Sequence, residues 1–193
     1  MEDNRNILKP KVTEEIILKS TQIGFVASCD NLTGNFIRML VASRQQIDIL
    51  ELGTGVGYST SWILDGMDKA SKLTTVEMNE ECSGIAKDVL GEDPRLHLIN
   101  CDGADFLKEH SNDKFDIIFA DTWPGKFYLL EEALSMVKPG GMYIIDDLNP
   151  QPNWPEGHGD KVKELIAYLE SRDDFFLCKL NWSTGLILMT RKI

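Results

Sequence analysis

A glycine-rich loop, Gly53-Thr54-Gly55-Val56-Gly57, is the first place in this sequence where chemistry can be expected. It follows a short apolar run and precedes a segment with helical spacing. Glycines there let the chain turn sharply and let a ligand approach the backbone. The free N–H groups and partial positive charge of a helix N-terminus attract an anion or a carboxylate. Without a ligand the same loop would be an ordinary tight turn.

Two classes of cofactor use such a loop, and they differ in the glycine spacing they need. A dinucleotide prefers G-x-G-x-x-G, whereas Gly53, Gly55 and Gly57 follow G-x-G-x-G. S-adenosylmethionine presents a methionine carboxylate and ammonium where a dinucleotide presents its pyrophosphate. Glu51, at the end of the preceding strand, suits that cationic ligand and would be awkward beside a pyrophosphate. S-adenosylmethionine is therefore the predicted cofactor, and NAD(P) is the alternative.

Two further carboxylates stand where the next strands end. Glu77 comes 20 residues after Gly57, in the place of a carboxylate that binds both ribose hydroxyls. Its alternative role is to cap the helix that starts near Glu80. The segment Asp102-Gly103-Ala104 follows the third strand, where an adenine edge would lie. Asp102 can also cap the short helix after it, and the two roles are compatible.

A second group of carboxylates consists of Asp121, after the fourth strand, and Asp146 with Asp147, after the fifth. Adjacent parallel strands would bring the three side chains together, where they repel one another unless a cation joins them. Clusters of oxygen ligands select hard cations such as Mg²⁺, Ca²⁺ or Mn²⁺. The alternative is that these aspartates cap turns and balance the sulfonium charge of the cofactor.

The elements that must position these residues alternate between strands and helices, which predicts βαβ units and a mostly parallel sheet. The predicted strands are 47–52, 72–77, 96–99, 115–120, 142–145, 175–180 and 186–190. Between them, helices are predicted at 59–67, 80–90, 104–109, 127–137 and 160–171, the fourth ending at Pro139-Gly140-Gly141. The last two strands are joined by a short link only, so they should form an antiparallel hairpin. The predicted fold is α/β, Rossmann-like and doubly wound, with seven strands.

A chain of 193 residues fits a single domain. We expect a helical lead-in over 1–45, with two helices joined by the polar loop 28–33, and a cofactor-binding core over 46–193. The net charge, 20 Lys+Arg against 31 Asp+Glu or −11, disfavours a nucleic-acid or membrane-surface partner. Four scattered cysteines and the lack of a long apolar stretch predict a reduced, cytoplasmic protein. Cys101 and Cys178 are expected to be buried.

Four motifs resemble those of class I S-adenosylmethionine-dependent methyltransferases: Glu51–Ser59, Val76–Asn79, Asp102–Ala104 and Phe115–Asp121. The segment Gly34–Leu40 makes the chain similar to the catechol and caffeoyl-CoA O-methyltransferases in particular. The resemblance covers roughly residues 28–190. It implies O-methylation of a small hydroxylated acceptor, phenolic or catecholic in that family, and related enzymes are often homodimers.

The resemblance also implies roles for individual residues. Glu51 and Ser59 would face the methionine end of the cofactor, Glu77 the ribose and Ala104 the adenine, with Trp123 packed against it. The remaining expected cofactor contacts are Gly53, Gly55, Tyr58, Met78, Asp102, Gly103 and Asp121.

In the catechol-type enzymes, an Asp after the fourth strand and an Asp-Asn pair after the fifth hold a divalent ion. Asp121 and Asp146 match this pattern, while Asp147 replaces the Asn, so Mg²⁺ or a similar cation is implied. A metal-bound phenol is a better nucleophile than a free one because the ion favours the phenolate. The helper lysine of the family has Pro124 in its place, and Lys126 stands two residues later. Lys126 could serve as the base, or it could be a solvated lysine at a helix start.

The loop Leu148–Gly159 is unusually long and carries three prolines. Trp154 could close over an acceptor ring, and His158 could act as a general base near neutral pH. A lone loop histidine is more often solvated or a helix cap. The amphipathic segment Val12–Phe25 could form a partner contact or cover the core. Besides methyl transfer, two functions stay open at this point: an NAD(P)-dependent oxidoreductase and a non-catalytic, methyltransferase-like binding protein.

Overall fold

Seven strands form one sheet in the computed structural model, which describes residues 3–25, 29–152 and 154–193. The strands are β1 (Asp48–Leu52), β2 (Lys72–Glu77), β3 (Leu96–Asn100), β4 (Phe115–Ala120), β5 (Val137–Ile145), β6 (Phe175–Leu180) and β7 (Leu186–Arg191). The helices of the described chain are α1 (Thr13–Gln22), α2 (Asn31–Ala42), α3 (Tyr58–Gly66), α4 (Glu80–Leu90), α5 (Gly103–Glu109), α6 (Leu130–Ser135) and α7 (His158–Glu170).

The strand order is β3-β2-β1-β4-β5-β7-β6. Strand β7 runs antiparallel to both of its neighbours, and the other neighbouring pairs are parallel. This confirms the predicted fold class, including the antiparallel hairpin at the end of the chain. The strand order changes direction at β1, because β2 and β3 lie on one side of it and β4 and β5 lie on the other. In an open α/β sheet a ligand binds at such a point.

The central strands bury side chains on both faces of the sheet, which explains their almost wholly apolar sequences. Leu50 and Leu52 of β1 pack on the face covered by α5, α6 and α7. Ile49 packs on the other face, with Trp62 of α3 and the helices α1, α2 and α4. Ile16 of α1 is fully buried there, so the amphipathic segment Val12–Phe25 covers the core.

The register of the central strands brings their carboxyl ends to one edge. Leu52 of β1 pairs with Val76 of β2 and with Ala120 of β4, and Ala120 pairs with Ile145 of β5. The residues that follow these positions therefore start from the same edge of the sheet. This alignment is what assembles the candidate site from four separate stretches of sequence.

Most predicted boundaries agree with the structure to within two residues, but the helix predicted over 127–137 begins three residues too early and the strand predicted over 142–145 begins five residues too late. Helix α6 covers only Leu130–Ser135, because Leu129 has a left-handed backbone with φ of 54°. Strand β5 already begins at Val137, which pairs with Phe115. The register then jumps to the pair Ile117 and Met142, so Pro139-Gly140-Gly141 lies in a bulge of β5 rather than at a helix end.

Three smaller expectations also need correction. Cys178 is exposed on the edge strand β6 and Cys101 is only partly buried. Helix α2 begins at Asn31, so the second half of the predicted loop 28–33 is helical, and Ser28 lies outside the described residues. No helix in the described ranges is long and apolar enough to cross a membrane.

Candidate functional site

The glycine loop between β1 and α3 turns through three glycines that all have positive φ. The angles are 100° at Gly53, 52° at Gly55 and 91° at Gly57. A Cβ atom on Gly53 would lie 2.7 Å from the carbonyl oxygen of Asp121, and one on Gly57 would lie 2.8 Å from Leu90 Cδ1. The first glycine therefore lets β1 and β4 approach, and the third lets the loop pack on α4. The loop lines one side of a cavity.

Glu51 lies fully buried beneath this loop. Its Oε1 accepts a hydrogen bond from Ser59 Oγ at 2.5 Å, and its Oε2 accepts from Thr60 Oγ1 and Thr75 Oγ1 at 2.6 Å each. Burial raises the pKa of Glu51 to about 7, although the three hydroxyl donors oppose the shift. In the described chain, Ser59 lines the cavity and Glu51 does not. Glu51 thus acts on the cavity through Ser59 rather than by direct contact.

Glu77 reaches the cavity from the end of β2. Its Oε2 accepts a hydrogen bond from the backbone N–H of Gly55 at 2.8 Å, and its Oε1 accepts from the N–H of Asn79 at 2.8 Å. The side-chain cap of α4 is Asn79, which accepts from Cys82 N–H. Glu77 is therefore free of the capping role that was its alternative, and its carboxylate borders the cavity next to the glycine loop.

The expected adenine side is built by the turn Asp102-Gly103-Ala104 and by Trp123. Asp102 caps α5, because its Oδ1 accepts a hydrogen bond from Ala104 N–H at 2.7 Å. A Cβ atom on Gly103 would lie 3.2 Å from Pro124 Cγ, so this turn faces the loop after β4. Met78 and Trp123 are both exposed, by 67% and 42%. In the described chain none of these residues lines the cavity at the glycine loop, whereas Trp123 lines a groove nearby.

Two hollows lie on either side of the loop that follows β4. The first, of about 190 Å³, is lined by the glycine loop together with Tyr58, Ser59, Glu77 and Asp121. The second is a groove of about 530 Å³ between this loop and α7. Its walls are largely aromatic and carry two lysines; they include Trp123, Lys126, Phe127, Lys161 and Tyr168.

The three predicted aspartates come to one place, and the carboxyl groups of Asp146 and Asp147 already accept hydrogen bonds there. Asp146 is 2% exposed, and its Oδ1 accepts hydrogen bonds from Thr184 Oγ1 and from Asp147 N–H, the latter at 2.7 Å. The carboxylate oxygens of Asp147 accept from Trp154 Nε1 at 3.2 and 3.1 Å. Asp147 also has a left-handed backbone with φ of 61°, which is uncommon for a residue with a side chain.

The pKa values of Asp121 and Asp146 are both raised. Burial, and then the negative charge of Asp146, raises the pKa of Asp121 well above its usual range. Burial raises the pKa of Asp146 to about 6, against the hydrogen bond from Thr184. Enclosed carboxyl groups next to one another resist ionising together, and both shifts express this.

Lys126 enters the same cluster from the loop after β4. It is 4% exposed, and its Nζ donates a hydrogen bond to the backbone carbonyl of Asp146 at 2.5 Å. Burial lowers the pKa of Lys126, while the negative charges of Asp121, Asp147 and Asp146 raise it. The alternative of a solvated lysine at a helix start is therefore wrong.

His158, the first residue of α7, is 5% exposed within an aromatic cage. Its ring centroid lies 4.5 Å from that of Trp154, 5.0 Å from Phe127 and 5.9 Å from Trp123. Neither ring nitrogen has a hydrogen-bond partner in the part of the chain that the structure describes. Burial, and then the nearby charge of Lys126, lowers its pKa. The alternative of a solvated loop histidine is wrong, and the imidazole is held neutral.

Several contributors to the site were missed from sequence. Cys29 is a buried thiol in the cofactor-side cavity, and its pKa is raised well above the usual range by burial and by Asp121. Thr75 could have been found, since it is a polar residue in a buried strand that pairs with Glu51. Thr184 carries no such signal, because only the fold of the β6–β7 hairpin brings it to Asp146.

The aspartates do not fit the metal site that the resemblance implies. Among the residues described, no three His, Cys, Asp or Glu side chains are placed so that they could hold one metal ion. One oxygen of Asp146 and the carboxylate of Asp147 accept hydrogen bonds from Thr184, a backbone N–H and Trp154. The cluster has a lysine ammonium group inside it.

Comparison with known proteins gives a family match over most of the chain. Residues 6–169 match the family model described as O-methyltransferase. A protein of Mycolicibacterium vanbaalenii named "Putative O-methyltransferase" is 29% identical over 102 residues, which are 50% of this chain and 45% of the relative. The chain thus spans about half the length of the first curated relatives it matches.

Solved structures share the fold over nearly the whole chain. An O-methyltransferase from Bacillus cereus, in complex with SAH, has a TM-score of 0.84 and 21% identity, and the match covers 98% of this chain and 94% of that one. TomG from Streptomyces achromogenes, an O-methyltransferase in complex with SAM, has a TM-score of 0.83 and 18% identity, with 99% and 94% covered. At these identities the likeness establishes the fold.

Proposed function

The chain belongs to the O-methyltransferase family, and from that premise we propose that it transfers the methyl group of S-adenosylmethionine to a hydroxyl group of a small acceptor. The observation that carries the proposal is the cavity at the carboxyl edge of the sheet, where the glycine loop, Ser59 and Glu77 face one hollow beside Asp121. Ligands of open α/β sheets bind at this edge.

The residues on this cavity fit the proposed cofactor. Glu77 keeps its carboxylate at the cavity wall with lone pairs for two ribose hydroxyls, in addition to its bonds to Gly55 and Asn79. The N-terminus of α3 and the glycine loop suit the methionine carboxylate. Asp121 and the charge of Glu51 beneath Ser59 suit the cationic end of the cofactor. The turn 102–104, with Met78 and Trp123, would border the adenine.

The acceptor side of the site favours a flat, hydroxylated ring. Trp123, Phe127 and Tyr168 line the groove beside the loop after β4. Aromatic side chains pack well against a flat ring. We therefore propose a phenolic or catecholic acceptor that approaches between the loop after β4 and the loop after β5.

In the proposed reaction, the cofactor supplies an electrophilic methyl carbon on a sulfonium group. The carboxyl groups of Asp121 and Asp146 lie at this end of the pocket, and the positive charge of the cofactor would favour their ionised forms. We propose that His158, whose two buried ring nitrogens have no partner in the described chain and whose pKa is lowered by burial, accepts the proton of the acceptor hydroxyl. Cys29 stays a protonated thiol because burial and the acids raise its pKa, which keeps a competing nucleophile silent beside the methyl group.

We also propose that the lead-in and the core form one domain. Helices α1 and α2 share the buried cluster of Ile16, Ile37 and Trp62 with α3, so 1–45 would not fold apart from 46–193. A homodimer is proposed as the assembly, and the exposed Leu18 on α1 is available for such a contact.

Calorimetric titration with S-adenosylhomocysteine and with NAD tests the cofactor. We expect binding of the former and none of the latter; the reverse result would make the protein an oxidoreductase. Transfer of a labelled methyl group to a panel of phenols and catechols tests the reaction. Binding of S-adenosylhomocysteine without transfer to any acceptor would leave a methyltransferase-like binding protein.

A further inference from the structure

The acid cluster at the ends of β4 and β5 contains a positive charge that belongs to the protein. Lys126 Nζ is buried with the side chain of Asp146 and donates to the Asp146 carbonyl oxygen at 2.5 Å. We propose that this ammonium group is the cation of the cluster, so that the site works without a divalent metal ion. The proposal rests on the proposed function only in treating the cluster as part of the catalytic pocket.

The loop after β4 is shaped to deliver Lys126 inward. Gly125 has φ of 79°, and a Cβ atom there would lie 2.7 Å from Leu52 Cδ1 and 2.9 Å from Tyr143 Oη. The buried Tyr143 hydroxyl donates to the Gly125 carbonyl oxygen. Lys126 N–H closes the turn by donating to the carbonyl of Trp123 at 3.0 Å. A glycine at 125 and a turn anchored to the core therefore fix the direction of Lys126.

The three aspartates favour a cation at this place. Asp121, Asp147 and Asp146 all act on the ammonium group, with Asp121 the strongest of the three. Lys126 forms no ion pair within 4.0 Å of any of them in the described ranges. Its Nζ donates a hydrogen bond to the backbone carbonyl of Asp146 instead. One ammonium group thus serves the cluster as a whole. A divalent ion added here would be repelled by it at short range.

Several of the oxygens that a metal ion would use already accept hydrogen bonds from the protein. Thr184 Oγ1 and Asp147 N–H donate to Asp146 Oδ1. Trp154 Nε1 donates to the carboxylate of Asp147. A metal ion would compete with these donors for the same oxygens. Lys126 is the only buried lysine or arginine in the described chain.

Mn²⁺ binding, followed by electron paramagnetic resonance on the protein without acceptor, tests the proposal. Wild-type protein should show no saturable Mn²⁺ binding up to about 1 mM, the weak end of protein sites for hard cations. Lys126→Ala should gain at least about tenfold in Mn²⁺ affinity, because the acids lose their cation and a space opens. The gain should vanish in Lys126→Ala combined with Asp146→Asn.

The matched control is Lys163→Ala, which removes the same charge from an exposed position on α7. It should bind Mn²⁺ no better than wild type. Wild-type binding at micromolar Mn²⁺ that Asp146→Asn abolishes would overturn the proposal. So would a folded Lys126→Ala variant with no gain in affinity.

A second measurement covers the case in which Lys126→Ala does not fold. The melting temperature of the wild-type protein and its affinity for S-adenosylhomocysteine should be the same in EDTA and in millimolar Mg²⁺ or Mn²⁺. A rise in melting temperature with the metal, lost in Asp146→Asn, would contradict the proposal. Failure to bind S-adenosylhomocysteine under every condition would instead contradict the proposed function, so the two failures are distinguishable.

Discussion

The two walls of the site are built in different ways. The wall at the ends of β1 and β2 supplies donors for its carboxyl groups: Glu51 accepts from three hydroxyl groups, and Glu77 accepts from two backbone N–H groups. The wall at the ends of β4 and β5 contains two buried groups that are less completely paired. His158 has no partner for either nitrogen in the described chain, and Lys126 is buried without a direct ion pair there.

This difference predicts separate roles for the two walls. A site that binds one constant cofactor gains from a rigid and satisfied wall, because little is reorganised on binding. A site that moves a proton needs a group whose affinity for it is shifted and whose hydrogen bonds are not already used. The first wall should therefore govern affinity for the cofactor, and the second should govern the rate.

The strongest test of this division is His158→Ala. Loss of a general base typically slows a reaction by about 10²–10⁴-fold, and we expect kcat to fall in that range. Affinity for S-adenosylhomocysteine should stay within about twofold, since His158 lies on the other wall. Steady-state kinetics and calorimetry measure the two quantities, with His110→Ala, an exposed histidine, as the control. Equal losses in kcat and in cofactor affinity would show that the two walls do not have separate roles.

Glu51→Gln tests the buried charge of the first wall through the pH dependence of stability. Burial raises the pKa of Glu51 from its ordinary value of 4.5 to about 7 in the folded protein. A raised folded pKa gives stability that is present below pH 4.5 and is lost as pH rises towards 7. The free energy of unfolding of the wild type, relative to Glu51→Gln, should thus fall by roughly 3 kcal/mol across that window.

Urea denaturation of both proteins at pH 5 and pH 8 measures this difference. Glu81→Gln, an exposed position on α4, should show no comparable change. A wild-type advantage of the same size at both pH values would mean that Glu51 is ionised throughout.

Glu77→Ala tests the first wall as a binding surface. Hydrogen bonds to a charged group are worth about 1.5–3 kcal/mol each, so the dissociation constant of S-adenosylhomocysteine should rise by about 10–100-fold. Because Glu77 touches no part of the acid cluster, kcat at saturating cofactor should change little. Glu80→Ala, three residues along and exposed, is the matched control. A fall in kcat without loss of affinity would move Glu77 to the catalytic side.

The same contrast explains what could be predicted from sequence. The first wall consists of a contiguous motif and of carboxylates at strand ends, and strand periodicity places them, so Glu77 and the glycine loop were found. The second wall depends on contacts between distant segments. Thr184 reaches Asp146 from 38 residues away, and neither local spacing nor composition carries that information.

The wrong boundaries lie in the second wall as well. The segment 127–137 has helical periodicity, but tertiary contacts decide its structure: Leu129 takes a left-handed backbone, and Val137 pairs with Phe115 in the sheet. Lys126 was found as a candidate, yet its burial depends on the turn at Gly125 against Tyr143. The environment of a residue, unlike its type, is a property of the whole fold.

The smallest expected effect is on the reactivity of the Cys29 thiol. It tests whether negative charge, in addition to burial, protects this thiol. Cys29 is 8% exposed with a raised pKa, whereas Cys178 is exposed on β6. Because the thiolate is the reactive form, iodoacetamide at pH 8 should label Cys29 at least about tenfold more slowly than Cys178, as followed by mass spectrometry. Asp146→Asn should speed labelling of Cys29 alone, since the charge of Asp146 helps to raise its pKa. An unchanged Cys29 rate in that variant would mean that burial alone protects the thiol, and that the potential of the acid cluster does not reach the cofactor cavity.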